Sequence, residues 1–267
     1  MDGAGTKQAK VLIEGASKVY PAQRGGEGVV AYEGVNLEIR DGEFVCLVGP
    51  SGCGKTTLLK TVAGLVRATS GHVQVDNRRV VHPGPDRAMV FQDAALLPWR
   101  NVRHNIAYGL DLAGVARRDK EGIVAELIEL VGLEGFGDAL PHELSGGMQQ
   151  RVNVARALAV NPSILLMDEP FAALDAQTRE VMQLELLRIW HQHRRTVLFV
   201  THQIDEAVYL ADRVAVMAAR PGRVTEVVDV PFGRPRDFAL KREYAFTDVV
   251  RHVWSLIEKQ VMQTAQT

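Results

Sequence analysis

Nine residues, GPSGCGKTT at 49–57, constrain this 267-residue chain more than any others in it. They match the pattern G-x-x-x-x-G-K-[ST], and they follow directly on a bare apolar run, FVCLV at 44–48. A helix is expected after them, so the context is strand, loop, helix. Glycines let such a loop curl until several backbone N–H groups converge on phosphate oxygens, and the positive end of the following helix adds to the attraction. Gly49, Pro50, Ser51, Gly52, Cys53, Gly54, Lys55, Thr56 and Thr57 therefore form a candidate phosphate cradle. The Lys55 ammonium is expected to reach the β- and γ-phosphates, and the Thr56 hydroxyl to ligate Mg²⁺.

Two further apolar runs, at 164–167 and 197–200, resemble 44–48 in being short, β-rich and free of alternation. Strands of that kind are covered on both faces, as in a parallel α/β sheet. Each run ends in polar residues: Gly49 onward, Asp168-Glu169, and Thr201-His202. Ligands of such sheets sit at the carboxyl ends of the strands, where these residues fall. Asp168, at the tip of ILLMDE, is placed to support a Mg²⁺ shell, and Glu169 to polarise an attacking water. An acidic pair after a strand is on its own an ordinary turn; paired with a phosphate loop it indicates a nucleoside triphosphatase. A third segment, LSGGMQQR at 144–151, opens a helix with Ser145, Gly146 and Gly147. That is a second anion-receptive helix start. Such a surface makes sense in a chain with one phosphate loop if it serves a nucleotide held by a partner.

Elsewhere, segments 11–20 and 29–39 read as strands joined by the Gly-rich QRGGEG. Segment 72–81 suggests a strand pair and 88–91 a further strand, and the pattern turns helical from about 101 to 160. After about Pro231 comes GRPRD, and then a helix with an apolar stripe at Val250, Trp254, Ile257 and Val261. Composition is that of an ordinary globular protein: 46% hydrophobic, 24% charged, net charge −1. The balance gives no support for nucleic acid as a partner. Cys46, in an apolar run, reads as a buried hydrophobe, and Cys53 sits in a loop that a disulfide would freeze. A reducing, cytoplasmic setting is expected. The start MDGAGTKQAK carries no secretory pattern, and no apolar run nears the roughly 18 residues that span a bilayer.

LSGGMQQR upstream of ILLMDEP, followed by AALD and TH, resembles the signature of ABC-type ATPases over about residues 11–237. The resemblance implies a P-loop NTPase fold: a RecA-like core with a parallel sheet, an N-terminal antiparallel β-subdomain and an inserted α-helical subdomain. It implies a nucleotide-binding domain at 1–237, with the helical part at about 93–160, and a C-terminal helical tail at 238–267. It implies ATP and Mg²⁺ as cofactors, and two copies packed head to tail, each ATP lying between one phosphate loop and the opposing Ser145, Gly146 and Gly147. Gln92 matches the glutamine that ligates Mg²⁺ and couples the site to the transmembrane subunit, and His202 the switch histidine at the γ-phosphate. Asp175 matches the aspartate that reaches across the dimer interface, and Glu169, His202 and Lys55 make up the catalytic set. Tyr20 matches the aromatic that stacks on adenine, with Tyr32 as its competitor.

The stretch at 83–106 and the GRPRD of the tail are similar to the ATPase subunits of nitrate, sulfonate and taurine importers. The expected partners are transmembrane permease subunits and a separate solute-binding protein, at the cytoplasmic face of the inner membrane. Leu97-Pro98-Trp99 then forms part of the groove for the channel subunit, or else packs inside the helical subdomain. An ATPase of an exporter or lipid-trafficking system is one rival reading, against which the stretch at 83–106 speaks, and a nucleotide-binding regulator without turnover is another, against which intact Lys55, Asp168, Glu169 and His202 speak. A mechanical clamp acting on DNA or ribosomes is a third, but it calls for two cassettes or a long coiled coil, and this chain has one cassette and no long heptad stretch.

Overall fold

The computed structural model describes residues 9–21, 28–219 and 221–265, with backbone only at 193 and from 261 onward. The first eight residues, most of the Gly-rich connection at 23–28, and the side chain of Val261 lie outside the described residues. The chain folds as two compact units, Met1–Gly84 with Trp190–Thr267, and Pro85–Ile189 between them in sequence.

The first stretch holds β1 (Ala9–Tyr20), β2 (Val29–Arg40), β3 (Phe44–Val48), α1 (Lys55–Val62), β4 (Ser70–Val75) and β5 (Arg78–Arg79). The middle stretch holds β6 (Arg87–Val90), α2 (Val102–Leu112), α3 (Arg117–Leu130), α4 (Gly146–Ala159), β7 (Ile164–Asp168) and α5 (Ala176–His193). The last holds β8 (Thr196–Val200), α6 (Ile204–Leu210), β9 (Arg213–Ala218), β10 (Arg223–Asp229) and α7 (Tyr244–Ala265).

In the unit formed by the two ends of the chain, β2-β1-β4-β5 make an antiparallel sheet. A second set runs β10-β9-β3-β8, with β3 parallel to both β8 and β9. Every residue of β3 and β8 is buried, as absence of alternation requires when both faces are covered. Burying each such Val, Leu or Phe is worth roughly 2 kcal/mol. The middle unit pairs β6 with β7 in parallel, β7 again wholly buried, and adds the helices α2, α3 and α4. The expected fold class, a parallel α/β core with an antiparallel N-terminal sheet and a helical insert, is the one observed.

Two details differ from expectation. The segment RVAVMA at 213–218 is a fourth strand of the buried kind, which sequence reading passed over because no polar motif follows it. In α7 the buried residues are Phe246, Val253 and Ile257, while Trp254 is exposed. The buried face therefore keeps Ile257 of the expected stripe but takes Val253 in place of Trp254, one residue or about 100° round the helix. This face packs on α6 and β9.

Candidate functional site

Leu47 of β3 stands in register with Val200 of β8, so both strands release their chains at the same level. From β3 comes the 49–57 loop, and from β8 the turn with exposed His202. The loop depends on glycine. Gly54 caps α1 with φ 90°, a conformation open to glycine at little cost, and a Cβ there would collide with the carbonyl oxygen of Ala31. No side chain caps α1 and no acidic residue sits in its first turn, leaving the helix start suited to an anion. The Lys55 ammonium folds back across the loop, donating to the oxygens of Gly49 (2.8 Å) and Pro50 (3.0 Å), with Cys53 Sγ at 3.6 Å. Burial raises the Cys53 thiol pKa even against the pull of Lys55. Both cysteines are free and buried, so Cys53 stays a neutral packing group.

The two tyrosines separate cleanly. Tyr20, at the end of β1, is 39% exposed, with the Lys18 ammonium 4.9 Å from its ring centre. Tyr32, in β2, is fully buried; its hydroxyl is 2.7 Å from Thr61 Oγ1, and burial pushes its pKa up. Tyr32 is a core residue, and Tyr20 alone of the pair offers a face.

In the middle unit, Val90 of β6 stands beside Met167 of β7, so Gln92 and Asp168 leave the same end of that strand pair. Gln92 is exposed and Asp168 buried. Glu169 follows with φ 44°, a left-handed backbone that a non-glycine residue adopts only when its surroundings hold it there. The loop carrying Gln92 is held from α4. Gln150 and Asn153 donate to the carbonyl of Phe91 at 3.3 and 3.1 Å, and Arg156 to those of Ala94 (2.8 Å) and Ala95 (2.9 Å). Sequence reading missed these three anchors; their 3-residue spacing along one face of α4 is the signal that was there.

Ser145 is the N-cap of α4, its hydroxyl accepting from Met148 N at 3.3 Å. Ser145, Gly146, Gly147, Arg151, Asp175 and Thr178 line one depression of about 520 Å³. Asp175 accepts the backbone N–H of Thr178 (3.0 Å), and that bond holds its carboxyl below the usual range. The signature residues and Asp175, far apart in sequence, thus share a surface. Trp99 is 74% exposed, which excludes the reading that it packs inside the helices, and Leu112 on α2 is equally bare.

The sequence model of the family described as ABC transporter matches residues 32–172. A taurine import ATP-binding protein of Rhizobium johnstonii is 50% identical over 218 residues, covering 82% of this chain and 83% of its own. A nitrate import ATP-binding protein of Synechococcus elongatus is 48% identical over 223 residues, covering 82% and 81%. Among solved structures, the dimeric post-hydrolysis state of an ATP-binding cassette bound to ADP and phosphate matches with a TM-score of 0.75 and 32% identity. That match covers 84% of this chain and all of the other.

Proposed function

This chain belongs to the ABC transporter family, and from that premise we propose that it is the ATP-hydrolysing subunit of an importer for a small anion of the nitrate, sulfonate or taurine type. It works as a pair of copies beneath transmembrane permease subunits, at the cytoplasmic face of the membrane. A separate solute-binding protein delivers the solute. Among the described residues no helix is long and apolar enough to cross a membrane.

The observation that carries this reading is the pair of anion-receptive helix starts with different equipment. One, at 49–57, brings its own lysine. The other, at 145–147, lies in an open depression beside Asp175. A phosphate chain bound by the first and covered by the second of a partner copy accounts for both. Within each site, Lys55 and the N–H groups of the loop bind the phosphates, and Tyr20 stacks on the adenine. Glu169 orients the attacking water and His202 contacts the γ-phosphate. Thr56, Gln92 and Asp168 offer only oxygen donors, a set that fits Mg²⁺. When bound, Mg²⁺ neutralises charge on the phosphate oxygens. Exposed Trp99 and Leu97-Pro98, just beyond Gln92, meet the channel subunit.

Glu169→Gln tests this directly. The carboxamide keeps the shape but cannot take a proton, so turnover should fall by about 100-fold or more while ATP still joins two copies. Light scattering in saturating ATP should find a stable dimer. A monomer under those conditions, or turnover at the wild-type rate, would overturn the assignment.

A further inference from the structure

His202 is followed at once by α6, a helix of seven residues, Ile204–Leu210. So short a helix has little stability of its own, and its position depends on its packing against β3, β9 and α7 and on what holds its two ends. At the front, the buried Glu206 carboxylate accepts the Thr201 hydroxyl at 2.5 Å, and Thr201 Oγ1 in turn accepts the N–H of Gln203 at 3.0 Å. The two residues flanking His202 are therefore tied to the first turn of α6. Thr201 N also donates to Leu47 O at 3.3 Å, on the strand that runs into the phosphate loop.

The rear end is held by the GRPRD segment, whose part the sequence did not disclose. The last carbonyls of a helix lack partners within it. Here Arg236 Nη1 donates to the carbonyls of Val208 (3.2 Å), Tyr209 (2.8 Å) and Ala211 (2.8 Å), and Arg234 Nη2 to that of Leu210 (2.5 Å). Four consecutive carbonyls are taken by two arginines. The remaining donors of Arg236 anchor it to its own segment, at Phe232 O (2.9 Å) and Gly233 O (3.4 Å). Arg234 is tied to Asp212 Oδ1 at 2.9 Å, while Asp212 Oδ2 accepts the N–H of Phe44 at the base of β3. Tyr209 lies flat against Phe238, with ring centres 5.4 Å apart and planes 11° apart, and its hydroxyl donates to Arg236 O at 3.2 Å. Arg236 is only 7% exposed, and desolvation lowers its pKa to about 10, well above the range in which cells work. A buried cation with three of its bonds to carbonyls at a helix C-terminus is held by geometry and by the helix dipole together.

We propose that Arg236, with Arg234, is a positioning residue for hydrolysis: the C-terminal segment grips the rear of α6, and α6, as a rod of about 10 Å, sets the place of the His202 turn. This rests on the reading of His202 as the residue at the γ-phosphate. Neither arginine touches the nucleotide; each acts through the helix.

The test is a double-mutant cycle on the full-length chain, read by single-turnover hydrolysis of labelled ATP and by steady-state kcat and KM. Arg236→Met should lower kcat by roughly tenfold and leave KM for ATP within about twofold, and Arg236→Lys, which keeps the charge but not the fork, should recover part of the loss. On a His202→Ala background the same Arg236→Met change should cost less than about twofold more, because the residue it positions is gone. A folded Arg236→Met protein with wild-type kcat overturns the proposal. So does a tenfold loss repeated in full on the His202→Ala background, which would mark Arg236 as acting elsewhere. If Arg236→Met does not fold, Arg236→Lys and Glu206→Gln carry the same cycle by the same criteria. Wild-type turnover in His202→Ala alone would instead remove the histidine reading, and this one with it.

Discussion

The phosphate loop and the serine turn both open a helix toward an anion, yet they are built in opposite ways. At α1 the cap is Gly54 in a left-handed conformation with no side-chain bond, and a buried lysine supplies a full charge. At α4 the cap is Ser145, a conventional hydroxyl on Met148 N, with no charged residue in the first turn. The first can grip phosphate by itself. The helix start of the second offers partial charges, worth roughly 0.3–1 kcal/mol at an exposed helix end. It matters only when something else brings phosphate to it. On the proposed function, the difference gives affinity to one region and closure to the other.

That division can be broken or sharpened by substitution. The largest effect should come from Lys55→Met, which removes the one charge of the loop. Turnover should drop by about 100-fold or more, with nucleotide affinity weakened, as a nucleotide titration and a phosphate-release assay would measure. Binding unchanged would mean that the backbone N–H groups alone hold the nucleotide. Gly54→Ala should come next, costing roughly 2 kcal/mol or more of stability from the forbidden φ and the collision with Ala31 O; thermal unfolding reads it. Ser145→Ala should be milder and different in kind. Loss of the cap costs about 1 kcal/mol, single-chain affinity for ATP stays within about twofold, and ATP-driven dimerisation weakens by about tenfold. Equal damage to both binding and pairing would erase the contrast. The smallest effects should come from the tyrosines, and in opposite columns. Tyr20→Ala should weaken ATP binding several-fold at unchanged stability, for a stacked ring is worth about 1 kcal/mol. Tyr32→Phe should cost about 1 kcal/mol of stability, from the lost bond to Thr61, at unchanged affinity.

Much of the candidate site could be read in advance, because its chemistry is local. A glycine loop, an acidic strand tip and a serine-glycine helix start are each contiguous in sequence, and the strands that feed them announce themselves as bare apolar runs. What escaped was of another kind. Gln150, Asn153 and Arg156 look like any polar face of a helix until the carbonyls of Phe91, Ala94 and Ala95 come to meet them. Arg236 sits in a Pro-containing segment whose sequence names no partner, and is buried against the carbonyls of Val208, Tyr209 and Ala211. The strand at 213–218 carried the right residues without a motif to draw attention to it.

The amino-acid order by itself determined the family and the class of reaction and singled out the candidate phosphate cradle, since each rests on side chains and glycines a few positions apart. Only the tertiary structure decided which tyrosine offers a face, which side of the last helix is buried, and what the arginines of the tail hold. Those outcomes turn on which surface another element happens to cover. Periodicity states that a face exists, but the partner that covers it comes from a distant part of the chain.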